Sequence, residues 1–142
     1  MRKNQILLKP IGVVKNGIPY GEKGVEWKSL KSKIEIFPEF QEGLKGIEQF
    51  SHIWVLFWMT PDETCLKIHP RGNRQLPEVG VFASRSPTRP NPIGLTLGEL
   101  TAVEGNILEV RGLDAFDGTP VIDLKPFLLR EPPPNLRLPD WA

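Results

Sequence analysis

Short apolar runs separated by turns rich in glycine and proline are the main pattern of this chain. Residues 53–59 (IWVLFWM) are apolar without interruption, which is typical of a central strand covered on both faces. Polar and apolar side chains alternate over residues 33–36 and again from residue 93, which predicts half-buried strands. Helical spacing occurs over residues 38–49, where two glycines limit it to a short helix or turn. Further short strands are predicted over residues 6–14, 79–83, 107–111 and 121–125.

This succession of strands predicts a mainly β protein. No long amphipathic helix lies between the strands, so βαβ units and a parallel sheet are not expected. Glycines inside the strands favour a strongly bent antiparallel sheet, and a change of phase in the strand that starts at Ile93 indicates a β-bulge near Gly98. Because a closed barrel removes the edges that such a sheet would expose, we expect a small closed antiparallel β-barrel with short helical additions.

The Pro-rich end of the chain is predicted to be a segment separate from the barrel. We assign the barrel to residues 1–127 and a tail to residues 128–142. The tail contains four leucines and Trp141, too many apolar side chains for a linker. We therefore expect it to dock on the barrel or on a partner protomer.

Length and composition fit one globular domain. The 142 residues are 39% hydrophobic and 25% charged, which excludes a disordered chain, a coiled coil and a collagen-like repeat. Cys65 is the single cysteine, so an internal disulfide and a four-cysteine zinc site are excluded and a reducing compartment is expected. The first residues are too polar for a signal peptide, and no run approaches the roughly 18 apolar residues of a membrane helix. We expect a cytoplasmic protein without a membrane span.

Basic residues are concentrated in the middle of the chain, although the formal net charge is only +1. Between residues 67 and 91 the one acid is Glu78, and the bases are Lys67, Arg71, Arg74, Arg85 and Arg89. Three prolines between residues 87 and 92 stiffen the loop that carries the last two arginines, together with Ser84, Ser86 and Asn91. This loop is either a rigid turn whose arginines pair with acids elsewhere, or a preordered site for a phosphate or carboxylate.

Three of the five aspartates lie between residues 113 and 126. In an extended strand Asp123 and Lys125 share one face, so they form either an ion pair or two poles of a polar pocket. Asp117-Gly118 is ordinary turn chemistry, and the sequence leaves a structural and a functional role for Asp117 equally open.

Several familiar sites are missing from the sequence. It contains no GxGxxG after a strand, no GxxxxGK[ST] and no HExxH. The histidines are His52 and His69, so a metal site is not expected. A hydrolase using Ser84 or Ser86 with His52 is a weak alternative, because no nucleophile elbow is present.

The most specific segments together resemble the TrmO tRNA methyltransferase family. The resemblance runs in order from about Ile6 to Phe127, and its motifs are FSHIWVLF (50–57), GVFASRS (80–86), RPNPIG (89–94), LD (113–114) and DGTPVIDLKP (117–126). It implies a single-sheeted β-barrel that binds S-adenosyl-L-methionine, usually as a homodimer with the site near the interface. The implied activity is N6-methylation of a threonylcarbamoyl-adenosine beside the anticodon of threonine tRNA.

The resemblance also implies site residues. The positions that match the family's cofactor contacts are Met59, Thr60, Arg85, Ser86, Thr96, Leu97, Asp117, Gly118, Thr119, Pro120, Val121 and Ile122. Within this set, Arg85 suits the methionine carboxylate and Asp117 suits ribose or amino groups. Residues expected near the phosphates of the anticodon loop are Arg71, Arg74, Arg89 and Asn91.

Methylation of a carbamoylated N6 nitrogen calls for a base, because the lone pair of that nitrogen is delocalised. The candidates are Asp114 and Asp123, with Lys125 as an orienting or anion-binding group. The resemblance implies a loop after the first strand that contacts the cofactor, and the loop 15–21 keeps only Pro19 and Gly21 of that pattern. Trp58-Met59-Thr60 stands where an aromatic residue and His are common in the family. Two alternatives therefore stay open: a methyltransferase with a different acceptor, and a non-catalytic barrel that binds RNA or nucleotides.

Overall fold

Six strands form a closed antiparallel barrel in the computed structural model, which describes residues 4–129 and 133–142. The order around the barrel is β1-β2-β7-β6-β3-β8. These strands are β1 (Gly12–Lys15), β2 (Lys31–Ile36), β3 (His52–Trp58), β6 (Ile93–Glu104), β7 (Ile107–Arg111) and β8 (Pro120–Pro126). A two-stranded ribbon consists of β4 (Lys67–Ile68) and β5 (Val79–Gly80). The 3₁₀ helices cover Pro38–Leu44, Ile47–Gln49, Pro70–Gly72 and Val81–Ala83. The predicted β-barrel with short helical additions is confirmed.

The barrel core is built from strand residues that alternate between the two faces of the sheet. On β3, Ile53, Val55 and Phe57 are buried, whereas Trp54 and Leu56 are only half-buried on the outer face. The uninterrupted apolar run is therefore covered fully on one face and partly on the other. Leu113 and Ala115 complete the core beyond β7.

An apolar stripe runs along the outer face of β3 and β6. Ile93, Leu95 and Leu97 are 37%, 42% and 38% exposed. They lie directly opposite Trp58, Leu56 and Trp54 in the antiparallel ladder. We call these six residues the β3–β6 stripe. The inner face of β6 carries glycines instead, and Gly98 is packed so closely that a β-carbon there would lie 2.3 Å from Val110 Cγ1.

Three local predictions were wrong. The first strand begins at Gly12 instead of residue 6, because Pro10 has no N–H with which to continue the ladder. The strand predicted over 79–83 ends at Gly80, and the following 3₁₀ turn is closed by Ser84 Oγ, which donates to Val81 O over 2.8 Å. The bulge of β6 lies between Leu100 and Ala102, so Gly98 serves close packing against β7 instead.

The chain divides into two compact units. The first contains the barrel and comprises the described residues up to Met59 together with Ile93–Phe127. The second comprises Thr60–Pro92 and the described residues from Leu128 to Ala142. Residues 60–92, which the sequence analysis counted with the barrel, thus form a unit with the tail. Within that unit Arg71 Nη2 donates to Trp141 O over 3.2 Å. Docking of the tail on a partner protomer stays a prediction.

Candidate functional site

The loop after β1 is fixed to the turn that precedes β8. Asp117 Oδ1 accepts the backbone N–H groups of Asn16 and Gly17 over 2.8 and 3.0 Å, and Asp117 N donates to Ile18 O over 2.8 Å. These two N–H groups, that of Gly17 first, lower the pKa of Asp117 below its usual value. The carboxylate therefore stays ionised, and its second oxygen receives no hydrogen bond among the described residues.

Asn16 lies at the centre of this junction and is not among the predicted site residues. Its side-chain amide donates to Ser32 Oγ and to Ala115 O over 2.9 and 2.8 Å, and its Oδ1 accepts the Ile18 N–H. Ser32 is fully buried, so Asn16 satisfies a hydroxyl that burial would otherwise leave unpaired. The Asn16-Gly17 dipeptide is a turn signal, but its partners lie up to 101 residues away in the chain and leave no local signal.

Aromatic contacts fix the next part of the same region. The Phe116 ring meets the rings of Tyr20 and Trp27 edge-on, with centroids 5.4 and 5.5 Å apart. The loop 15–21 is thus held at Asp117 and again at Phe116. Two segments that the resemblance assigned to cofactor contacts, the loop and the block 117–122, are brought together.

Most of the block 117–122 is used for pairing with the first strand region and for packing in the core. Val14 N donates to Thr119 O, Ile11 N donates to Val121 O, and the Val121 side chain is fully buried in the core. Pro120 pairs with Val13 of β1, and Ile122 is half-buried. Gly118 has a φ of +83°, and a β-carbon there would meet no atom within 4 Å. Open space therefore adjoins Gly118, beside the ionised Asp117.

The two candidate bases differ in place and in partners: Asp114 lies in the loop after β7, and Asp123 lies on β8. Thr96 Oγ1 donates to Asp114 Oδ1, which joins one predicted base to one predicted cofactor contact. Asp123 Oδ2 lies 2.9 Å from Lys125 Nζ, and its Oδ1 accepts the Leu124 N–H. Of the two arrangements left open by strand geometry, the ion pair is the one formed. Leu97, next to Thr96, points to the opposite face of β6 and belongs to the β3–β6 stripe.

The stiff loop of the second unit is braced from inside. Arg89 Nη1 donates to Ser84 O and Ser86 O over 3.0 and 3.1 Å, so this predicted RNA contact is also a structural brace. Ser86 Oγ and Thr88 Oγ1 are 2.9 Å apart. Because the Ser84 hydroxyl is likewise bonded to Val81 O, neither serine has the partner of an activated nucleophile.

The remaining predicted contacts are accessible. Arg85 and Arg74 are exposed and have no acidic partner among residues 4–129 and 133–142. Asn91 and Thr60 are exposed as well, whereas Met59 packs partly against the barrel core. In that same part of the chain no cluster of three His, Cys, Asp or Glu side chains could hold a metal, and no helix is long and apolar enough to cross a membrane.

Comparison with known proteins gives the family. Residues 13–130 match the tRNA-methyltransferase O N-terminal domain. A probable S-adenosyl-L-methionine-binding protein of Methanothermobacter thermautotrophicus is 44% identical, over 89% of this chain and 93% of that protein. The human tRNA (adenine(37)-N6)-methyltransferase is 36% identical over 98% of this chain but only 34% of its own length. The crystal structure of TrmO from P. aeruginosa superposes with a TM-score of 0.72 at 29% identity, over 96% of this chain and 62% of that one. This chain belongs to the TrmO family, of whose larger members it spans between a third and two thirds.

Proposed function

We propose that this protein is an S-adenosyl-L-methionine-dependent methyltransferase that modifies N6 of an adenine in tRNA. The observation that carries the proposal is the match to the tRNA-methyltransferase O N-terminal domain over residues 13–130. The more specific acceptor that we propose is threonylcarbamoyl-adenosine next to the anticodon. We also place the protein in the cytoplasm, where tRNA is available to it.

Several of the predicted contact residues fit the cofactor by their chemistry. The unpaired guanidinium of Arg85 can bind the methionine carboxylate, and the ionised Asp117 can accept hydrogen bonds from ribose hydroxyls or an amino group. The open space at Gly118 lets a ligand approach the main chain. Met59, Thr60, Ser86, Thr96 and the rest of the block 117–122 are the further proposed contacts. When bound, S-adenosyl-L-methionine supplies an electrophilic methyl group.

Asp114 is the better candidate for the base that takes the N6 proton. Its carboxylate receives one hydroxyl hydrogen bond from Thr96, whereas both oxygens of Asp123 are engaged by Lys125 and the Leu124 N–H. A base must also lie within hydrogen-bond reach of the proton that it removes. Thr96 is itself a proposed cofactor contact, so its hydroxyl links the base to the cofactor site.

We also propose a homodimer that buries the β3–β6 stripe. The stripe exposes three large aliphatic side chains in a row on an outer sheet face, and contiguous exposed apolar surface of this kind is typical of protein interfaces. Sedimentation of Leu95→Asp tests it: we expect a monomer, while Leu66→Asp, an exposed leucine of the second unit, stays dimeric. A wild-type monomer at micromolar concentration would contradict the dimer.

Calorimetric titration with S-adenosyl-L-methionine tests the cofactor proposal. We expect binding by the wild type and a loss of about tenfold or more in Arg85→Ala, with Arg137→Ala as a matched control. Absence of binding by a wild-type preparation free of co-purified ligand would remove the cofactor and with it the methyltransferase.

The acceptor needs its own experiment. Incubation with methyl-labelled cofactor and bulk tRNA should label the tRNA, and nucleoside mass spectrometry should place the methyl on N6. The archaeal relative that matches this chain over nearly its full length is named only for cofactor binding, which favours a different acceptor as the second candidate. Cofactor binding without labelling of tRNA would select that candidate.

A further inference from the structure

The second unit contains a cavity of about 970 Å³, and of its lining residues the proposal above uses only Arg85 and Ser86. Its lining includes Phe82, Trp141, His69, Pro87 and the guanidinium-bearing residues Arg71 and Arg85. We call it the Phe82–Trp141 cleft. Proteins commonly bind single-stranded nucleic acid with aromatic side chains, on which the bases stack, and with nearby arginines, which bind the phosphates.

The backbone around Phe82 is held in place, while its side chain is exposed. It is 77% exposed, in the middle of the 3₁₀ turn Val81–Ala83. The neighbouring Val81 is buried, its N–H donates to Leu66 O over 2.8 Å, and its carbonyl accepts the Ser84 hydroxyl. The Phe82 ring contacts no other aromatic ring in the described part of the chain. An exposed ring on a backbone that is held in place has a free face for a ligand.

The excess of basic side chains in the second unit favours an anionic ligand in the cleft. Among its described residues the second unit has six basic side chains (Lys67, Arg71, Arg74, Arg85, Arg89 and Arg137) and four acidic ones (Asp62, Glu63, Glu78 and Asp140). Among the described residues of this unit, Glu78 is the one acid that approaches a basic group: its Oε2 lies 4.0 Å from His69 Nε2. Arg71 has a φ of 57°, which is uncommon for a residue with a side chain, and its Nη2 donates to Trp141 O. The cleft therefore joins a fixed guanidinium to an aromatic surface.

We propose that the Phe82–Trp141 cleft binds one unstacked nucleotide of the tRNA substrate. The base stacks on Phe82 and the adjoining phosphate binds Arg71. This assignment rests on the proposed function, because it takes RNA as the partner. Arg85, the proposed contact of the cofactor carboxylate, lines the same cleft as Arg71.

Binding of an unmodified anticodon stem-loop RNA at fixed salt, by fluorescence anisotropy, is the direct test. Stacking on an aromatic side chain contributes enough that Phe82→Ala should bind this RNA about 10- to 100-fold more weakly. Phe82→Trp should restore binding to within about threefold, because it keeps a stacking face. Leu66→Ala, an equally exposed apolar side chain outside the cleft, should bind as the wild type. Arg71→Ala should lower the salt slope by about one.

Two results separate the failure of this inference from failure of the proposed function. If the wild type methylates tRNA and Phe82→Ala binds the stem-loop as tightly as Leu66→Ala, the cleft assignment is overturned while the function stands. If the wild type binds the stem-loop, Phe82→Ala binds it more weakly, and the wild type transfers no methyl group to bulk tRNA, the cleft stands and the tRNA methyltransferase is overturned. Titration of each variant with S-adenosyl-L-methionine, expected to match the wild type for Phe82→Ala, shows that the fold is intact.

Discussion

Asp117 and Gly17 are 100 residues apart in the chain, and the carboxylate of the first accepts the backbone N–H of the second over 3.0 Å. Asn16 adds a second N–H to the same oxygen over 2.8 Å. A single carboxylate oxygen thus holds the loop after β1 against the turn before β8. The turn carries proposed cofactor contacts, and the resemblance implies that the loop contacts the cofactor as well, so this contact determines whether the two segments are presented together.

Asp117→Ala should therefore weaken cofactor binding without unfolding the barrel. We expect affinity for S-adenosyl-L-methionine to fall by about tenfold, because the loop loses its anchor and the ligand loses an acceptor. The Tm should fall by about 2–5 °C. Asp62→Ala, an exposed aspartate of the second unit, is the matched control. Calorimetric titration and thermal melts measure both effects, and an unchanged affinity would make Asp117 a purely structural residue.

The same contact predicts how stability depends on pH. The N–H groups of Gly17 and Asn16 lower the pKa of Asp117 in the folded protein, so the unfolded chain binds this proton first as the pH falls. The contribution of Asp117 to the free energy of unfolding is complete above about pH 4, and it is lost as the pH falls through the lower pKa of the folded state. The Tm difference between wild type and Asp117→Asn should therefore shrink from pH 6 to pH 3. A difference that stays constant would contradict this assignment.

Much of the barrel can be predicted from local patterns because each strand carries its own signal. The alternation at residues 33–36 and the apolar run at 53–59 set strand type and burial within a few residues, and tertiary packing only refines their ends. The β-bulge was misplaced because Gly98, the glycine that marks the phase change, serves close packing against Val110 and lies two residues before the register shift begins at Leu100.

The site is harder to predict because its parts are joined by long-range contacts. Nothing near Asn16 in the sequence indicates that its amide satisfies the buried Ser32 hydroxyl or that its N–H binds Asp117. Likewise, the sequence predicts Arg89 as a phosphate contact, whereas the folded loop uses its guanidinium to bind Ser84 O and Ser86 O. Residue types and a family resemblance identify the segments. Which of their side chains hold the fold, and which are available to a ligand, depends on the folded geometry.

Gly98→Ala should destabilise the barrel through overpacking. An added β-carbon would lie 2.3 Å from Val110 Cγ1, so the strands must shift at a cost of about 1–3 kcal/mol. Gly43→Ala is the control, because a β-carbon there meets nothing within 4 Å. Urea unfolding of Gly98→Ala, Val110→Ala and the double variant measures the coupling. We expect the double variant to be more stable than the sum of the two single effects, and simple additivity would show that Val110 is not the obstacle.

Cys65 should react slowly with thiol reagents. Burial, followed by the nearby Glu63 carboxylate, raises the pKa of the Cys65 thiol, so little thiolate is present at neutral pH. Reaction with a disulfide reagent at pH 7.5 should be several-fold slower than that of a free cysteine peptide and should rise steeply above pH 9. Glu63→Gln should speed the reaction by removing the negative charge. A rate equal to that of the peptide in the native protein would contradict the raised pKa.

Asparagine substitutions at Asp114 and Asp123 should separate the base from the ion pair. Asp114→Asn keeps an acceptor for Thr96 but cannot take a proton, so kcat should fall by about 10² or more while affinity for S-adenosyl-L-methionine is kept. Asp123→Asn breaks an ion pair with Lys125 whose two side chains are 44% and 63% exposed, so it should change kcat by less than about fivefold.

Because Lys125→Met breaks the same pair from the other side, it should match Asp123→Asn if that pair is only structural. A large loss in Asp123→Asn with a small loss in Asp114→Asn would transfer the role of base to Asp123, and Lys125→Met would then report whether its ammonium orients that carboxylate.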